Sequence, residues 1–288
     1  MRLKVADIVF DVSCDIPMET LYLERPCSAF YSNENPDVFI RGHYSSLPDF
    51  TPKDQDKVFN SNIFWNVYRI DGRTVFILKT PSSFQPPHCT AVFDDRFRRG
   101  DVYYRKSHFD EMGISLLPHP LAFPIFHLLM ISLLSKGYGV LLHACGINDN
   151  GIGYLFTGSS SHGKTTMARL WEDEAVVLND ERIVLRQNNG QLWIYGTPWH
   201  GEYDKISPDG VPLHRVFFLR HGREDAVQQP KSLSAAAMLL AHSFMPLWEP
   251  DGMQFFLDFC ARISEIVPCY ELDFMPRKAV VDFIRCVK

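Results

Sequence analysis

With 288 residues, 46% of them hydrophobic and 22% charged, the chain can bury an ample core as one large domain or two. A formal net charge of −5 and the lack of a Lys/Arg stripe argue against nucleic acid as a partner. Seven scattered cysteines without a C-x-x-C pair fit a reducing, cytoplasmic setting and exclude a disulfide framework or a zinc ribbon.

Taken in order, residues 1–118 read as a β-rich N-terminal region. Residues 1–15 alternate like a strand and carry no secretion-signal core. Short runs at 5–12, 38–43, 63–68, 74–79, 91–93 and 101–105 are rich in β-branched and aromatic residues. Asn35-Pro36, the polar stretch 48–56, Asp71-Gly72 and Arg99-Gly100 supply the breaks, and an antiparallel sheet with little helix is expected. His43, His88 and His108 stand isolated in this region, which reads as a scaffold, a homo-oligomer surface or a recognition module.

Residues 119–288 carry the chemistry. The most apolar stretch, 121–134, is interrupted by Pro124 and His127 and is too short to span a bilayer, so no membrane partner is expected. A helix is expected over 125–136, with Gly137 as its stop. A strand at 140–147, the turn Asn148-Asp-Asn-Gly151 and a strand at 152–157 form a hairpin. Its register sets His143 opposite Gly158 if Asn150-Gly151 are the turn centre, or opposite Phe156 if the centre lies one residue earlier. Either way His143 lies beside the next segment.

That segment runs Gly158, Ser159, Ser160, Ser161, His162, Gly163, Lys164, Thr165, Thr166, and matches G-x-x-x-x-G-K-[ST] between a strand and a helix. The glycines let successive N–H groups turn inward around a phosphate, and the helix N-terminus adds its unpaired N–H groups. Lys164 offers a mobile cation for the β- and γ-phosphates, and the Thr165 hydroxyl a ligand for Mg²⁺. ATP and Mg²⁺ are the cofactors this implies. A short strand at 175–178 then ends in Asp180-Glu181, an acidic pair placed as metal binding and nucleophile activation require. In a doubly wound sheet of parallel neighbours such a strand end lies next to the nucleotide.

His143-Ala144, GSSSHGKTT and Leu178-Asn-Asp-Glu-Arg-Ile183, in this order and spacing, resemble the kinase domain of the HPr kinase/phosphorylase family. The resemblance is nearer still to the HPr-kinase-like serine kinases of peptide-modification and lasso-peptide systems. It covers residues 120–288 and implies an α/β fold with a P-loop core of the HPr kinase/phosphoenolpyruvate carboxykinase type. It implies Asp180 as the base for the acceptor hydroxyl, Glu181 as a metal ligand beside Thr165, and His143 as support for the catalytic acid. The chain departs from the family at Ser161 and Glu181, and in place of Glu-Ile-Arg-Gly it reads Trp193-Ile-Tyr-Gly196-Thr-Pro-Trp199-His200-Gly-Glu202. Trp199, His200 and Glu202 are expected to line an acceptor site, with Trp199 as a core residue the alternative.

The remaining chain reads as structural: a strand at 215–219, a helix at 233–244 capped by Ser232, a helix at 255–266, a strand at 269–274 and a helix at 279–286. The function expected is ATP-dependent phosphorylation of a hydroxyl, serine on a peptide or small protein. A nucleotide-binding switch that transfers nothing and a small-metabolite phosphotransferase are the alternatives.

Overall fold

The computed structural model describes residues 1–45, 47–48, 52–62, 64–79, 87–159 and 161–287. They form two compact units, one of residues 1–4, 8–133 and 247–250, the other of residues 5–7, 134–246 and 251–288.

In chain order the first unit carries β1 (Arg2–Val5), β2 (Ile8–Cys14), β3 (Leu21–Tyr22), β4 (Val38–His43), β5 (Lys57–Asn60), β6 (Trp65–Ile70), β7 (Arg73–Leu78), β8 (Cys89–Phe93), β9 (Arg99–Tyr104), α1 (Lys106–Glu111), β10 (Leu117–Pro118) and α2 (Ile125–Leu134). Among the described residues the sheet order is β1-β2-β4-β9-β8-β7-β6-β5. It is mixed rather than antiparallel, because β4 runs parallel to both β2 and β9. The stretches before and after β4 are long enough for the crossovers that parallel pairing needs. The run expected at 5–12 is broken by a turn at Ala6-Asp7, where φ is 52° and 56°. Ala is rare in that conformation, so no turn signal was visible. Gly100 belongs to a strand, not a turn: the Phe93 ring lies over it, and a Cβ there would stand 2.2 Å from Phe93 Cδ1. Ile63, part of the 63–68 expectation, lies outside the described residues, as do 49–51 within the polar stretch. His88 and His108 are not isolated, their rings stacking at 5.2 Å. His43 pairs with Asp101 at 2.7 Å.

The second unit follows with β11 (Gly139–Leu142), β12 (Ala144–Asp149), β13 (Ile152–Thr157), α3 (Lys164–Trp171), β14 (Val176–Asn179), β15 (Ile183–Asn188), β16 (Gln191–Tyr195), β17 (Gly210–His221), β18 (Ala226–Gln228), α4 (Ser232–Ala241), α5 (Pro250–Ile266), β19 (Cys269–Phe274) and α6 (Ala279–Cys286). Its sheet order is β11-β15-β16-β17-β13-β12-β14, with β19 beside β17 and β18 beside β19. The long β17 joins two pairing systems, antiparallel to β16 through residues 210–212 and parallel to β13 and β19 further on. This is a mixed α/β arrangement, not a sheet of parallel neighbours throughout.

Alternation along β13 divides the core. Leu155 joins Leu178, Ile183, Val216, Leu239, Phe256, Phe259 and Ile263 on one face, under α4 and α5. Tyr154 and Phe156 join Met167, Trp171, Phe217, Leu272 and Ile284 on the other, under α3 and α6. Two-sided burial of this kind explains why β13 reads as a near-continuous apolar run. Arg285 of α6 donates to both Asp149 oxygens, at 2.8 and 3.0 Å, and lies over the Trp171 ring. Ser232 opens α4 as its first helical residue, and the cap position is Lys231. Among the described residues, no helix is long and apolar enough to cross a membrane.

Candidate functional site

The hairpin register settles where His143 lies. Asp149 pairs with Ile152 and Ala144 with Thr157, so Asn150-Gly151 are the turn centre and His143 falls level with Gly158. His143 is not inside a strand as expected. It is the single residue between β11 and β12, where the chain leaves its pairing with β15 and takes up pairing with β13. Its N–H donates to His242 O at 2.8 Å, and its O accepts from Thr157 Oγ1 at 2.9 Å.

From β13 the chain enters the 158–163 loop and then α3. Ser161 and Gly163 have φ of 71° and 96°, bending the backbone as a loop around an anion requires. At Gly163 no side chain fits, since a Cβ would meet Phe274 Cζ at 2.7 Å. Ser160 lies outside the described residues; Ser159 and Ser161 are exposed, while His162 and Gly163 are half-buried. Lys164 opens α3 with 7% exposure, and its Nζ donates to Gly158 O at 2.8 Å and Ser159 O at 3.2 Å. The cation is thus held at the loop, and burial lowers its pKa. Thr165 and Thr166 follow in the first helical turn, both half-buried.

Asp180 reaches this loop by a route the sequence did not reveal. β14 is not the neighbour of β13, because β12 stands between them, antiparallel to both. β13 and β14 therefore point the same way, and α3 packs across β12, β13 and β14. The result is a hydrogen bond of 2.8 Å from Thr165 Oγ1 to Asp180 Oδ2. Asp180 is 2% exposed and also accepts from Gly201 N at 3.0 Å and Tyr203 N at 3.3 Å. Glu181 turns elsewhere. Its Oε1 stands 3.5 Å from His143 Nδ1, which also contacts Glu181 O at 3.1 Å. His143 has its pKa lowered by burial and by Lys164, against the opposing pull of Glu181.

The 196–202 segment lies against these acids by its backbone. A Cβ on Gly201 would come within 3.0 Å of Glu181 Oε2 and 3.2 Å of Asp180 Oδ1, so glycine is what admits both carboxylates. Trp199 is buried at 5% exposure, whereas His200 and Glu202 are exposed. Among the described residues no group of three or more His, Cys, Asp or Glu side chains is arranged to hold a metal ion by itself. Thr165, Asp180 and Glu181 offer one hydroxyl and two carboxylates, a donor set suited to Mg²⁺, which keeps water and substrate phosphate in its remaining positions.

No protein-family model matches the chain. No curated protein matches it either. A solved structure of the Hpr(Ser) kinase/phosphatase from Coxiella burnetii is similar over 50% of this chain and 90% of that one, with 13% identity and a TM-score of 0.31. A likeness that slight carries no argument, and the site rests on its own geometry.

Three contributors escaped the sequence reading. Asn179, fully buried, donates from Nδ2 to Thr197 O and Trp199 O, both at 2.9 Å. Its Oδ1 accepts from Glu181 N at 2.7 Å and Arg182 N at 2.9 Å. Asn before an acidic pair is a turn signal, and it could have been read as the clamp of the 180–182 turn. The amides of Gly201 and Tyr203 carry no side-chain signature. His242 lies near Lys164, His143 and His162, and burial first and Lys164 next push its pKa down to about 4. Only tertiary contact places it there.

Proposed function

We propose that the protein is an ATP-dependent phosphotransferase that passes a γ-phosphoryl group to a hydroxyl, serine of a peptide or small protein. The observation that carries this reading is the 2.8 Å bond from Thr165 to Asp180. It joins a glycine-bounded anion loop and helix N-terminus to a buried acid at the end of a separate strand, the pairing that phosphoryl transfer needs.

In this reading the loop amides and the α3 N-terminus hold the donor phosphates, with Gly158, Ser159, Ser161, His162, Gly163 and Thr166 forming the cradle. Lys164 moves from the loop carbonyls to the phosphates, exchanging weak partners for strong ones. Thr165 and Asp180, which already share a hydrogen bond, would hold Mg²⁺, which when bound supplies neutralisation of phosphate charge. Positioning and preorganised charge supply most of the acceleration. The serine acceptor follows from the motif resemblance, and the exposed His200 and Glu202 are the groups proposed to meet it.

The test is incubation of the wild-type protein with γ-labelled ATP, Mg²⁺ and a panel of serine-containing peptides. Phosphoserine in a peptide, found by mass spectrometry, is the expected product. ATP binding without label transfer to any peptide, protein or small hydroxyl compound would replace this reading with that of a nucleotide-dependent switch.

A further inference from the structure

The two acids at the end of β14 differ in burial and in partners. Asp180 is 2% exposed and has both oxygens engaged, Oδ1 by Gly201 N and Oδ2 by Thr165 Oγ1 and Tyr203 N. A carboxylate pinned in this way cannot swing toward an incoming hydroxyl. Its side-chain partner among the described residues is the hydroxyl read as a metal ligand. The Glu181 side chain is 28% exposed, and its Oε1 stands 3.5 Å from His143 Nδ1 and 3.9 Å from Arg182 Nη2. Asn179 Oδ1 fixes the Glu181 backbone through its N–H, so the side chain projects from a rigid turn. The Gly201 backbone lies close against both carboxylates, and a Cβ there would stand 3.0 Å from Glu181 Oε2.

A general base must come within hydrogen-bond reach of the proton it takes, and the acceptor approaches from solvent. We infer that Glu181 is the proton acceptor, that Asp180 serves the metal with Thr165, and that His143 is the positioning residue of Glu181. This rests on the phosphotransfer reading above and reverses the roles that motif resemblance gives to the two acids. In the step assigned to Glu181, the acceptor oxygen forms a bond to the γ-phosphorus as the bond from that phosphorus to the β–γ bridging oxygen breaks. The bond's electron pair leaves on ADP, and the hydroxyl proton passes to the Glu181 carboxylate and then to solvent. His143 holds that carboxylate from the flank, through contacts to the same residue's backbone O and Oε1.

Two readouts separate the roles: ATP affinity by calorimetry with Mg²⁺ or with EDTA, and single-turnover transfer. Glu181→Gln should keep the wild-type gain in affinity from Mg²⁺ within about twofold while transfer falls by about 10²–10⁴. Asp180→Asn should lose most of the Mg²⁺ gain. Because Asp180 is buried, Thr165→Ala serves as a second variant, and it should lose the Mg²⁺ gain as well with its melting temperature near wild type. His143→Ala should lower kcat and leave both ATP affinities unchanged. Transfer at the wild-type rate by Glu181→Gln overturns the inference. So does an Asp180→Asn protein that keeps the Mg²⁺ gain and transfers nothing. If the wild type itself transfers nothing, the phosphotransfer reading fails and the base role with it, while loss or retention of the Mg²⁺ gain still reports which acid serves the metal.

Discussion

Trp199 shows how one side chain can be read two ways until its burial is known. At 5% exposure it is a packed residue, and its O holds the Asn179 amide. Trp199→Ala should therefore cost about 3–5 kcal/mol of stability, seen as a lowered melting temperature. Glu202, exposed three residues after Trp199 and between the two amides on Asp180, is the better probe of the acceptor. Glu202→Gln should raise acceptor KM and leave melting temperature and ATP affinity unchanged; identical kinetics would remove it from the site. A third residue gives the fold an acid limit. His119 is 1% exposed, and burial pushes its pKa down from 6.5 to about 4. The unfolded chain then binds the extra proton between these values, so stability rises with pH across that window. What His119 contributes is fully present above about pH 6.5 and is lost as pH falls toward 4, amounting to about 2 kcal/mol at pH 5. Melting curves from pH 7.5 to 4.5 should show a shallower acid loss in His119→Gln than in wild type. Equal slopes would mean the imidazole is solvated.

Among the elements, α3 and its loop depend on Gly163 more than on any capping side chain, for the helix has no side-chain cap bond. Gly163→Ala places a methyl 2.7 Å from Phe274 Cζ at a φ of 96°. The left-handed backbone alone costs about 1–2 kcal/mol. Both melting temperature and Mg·ATP affinity should fall. Gly190→Ala, at φ 82° with open space around it, should pay the backbone cost alone and bind Mg·ATP as wild type does. Equal affinity in the two variants would show that the loop tolerates displacement. The elements were legible where a periodic signal acts alone. The 152–157, 269–274 and 279–286 spans stand as read, because β13 is a continuous run buried on both faces, while β19 and α6 bury apolar positions at their own periods. The break at His143 was not legible. Residues 140–147 read as one strand, and only the exchange of partners from β15 to β13 divides it at His143. The same limit hid the position of β14, since sequence distance from Lys164 to Asp180 fits a neighbouring strand as well as one beyond β12. The GKT motif and the acidic pair were visible as residue types. Their 2.8 Å contact and the backbone amides of Gly201 and Tyr203 are products of topology.

Across the molecule, sequence order and structural grouping diverge. Leu247–Pro250, late in the chain, belongs to the first unit. Trp248 there is 4% exposed, packs edge-on against Phe59 and Phe76, and donates from Nε1 to Ser132 Oγ at 2.9 Å. Beside it, Glu249 is buried and accepts from Arg69. Trp248→Ala should cost about 3–5 kcal/mol of stability without changing Mg·ATP affinity, checked by thermal denaturation and calorimetry. A fall in affinity at full folding would tie this segment to the nucleotide. The central claim, that the loop ending in Lys164 and Thr165 works with the acids after β14 as a phosphoryl-transfer centre, has a more direct test. It is the single-turnover rate of γ-phosphoryl transfer from ATP to a serine peptide, measured in wild type and in Lys164→Met. Loss of the cation that meets developing phosphate charge should cost about 3–4 kcal/mol, a fall of roughly 10²–10³ in rate, with a smaller loss of ATP affinity. Equal rates in the two proteins would contradict the account.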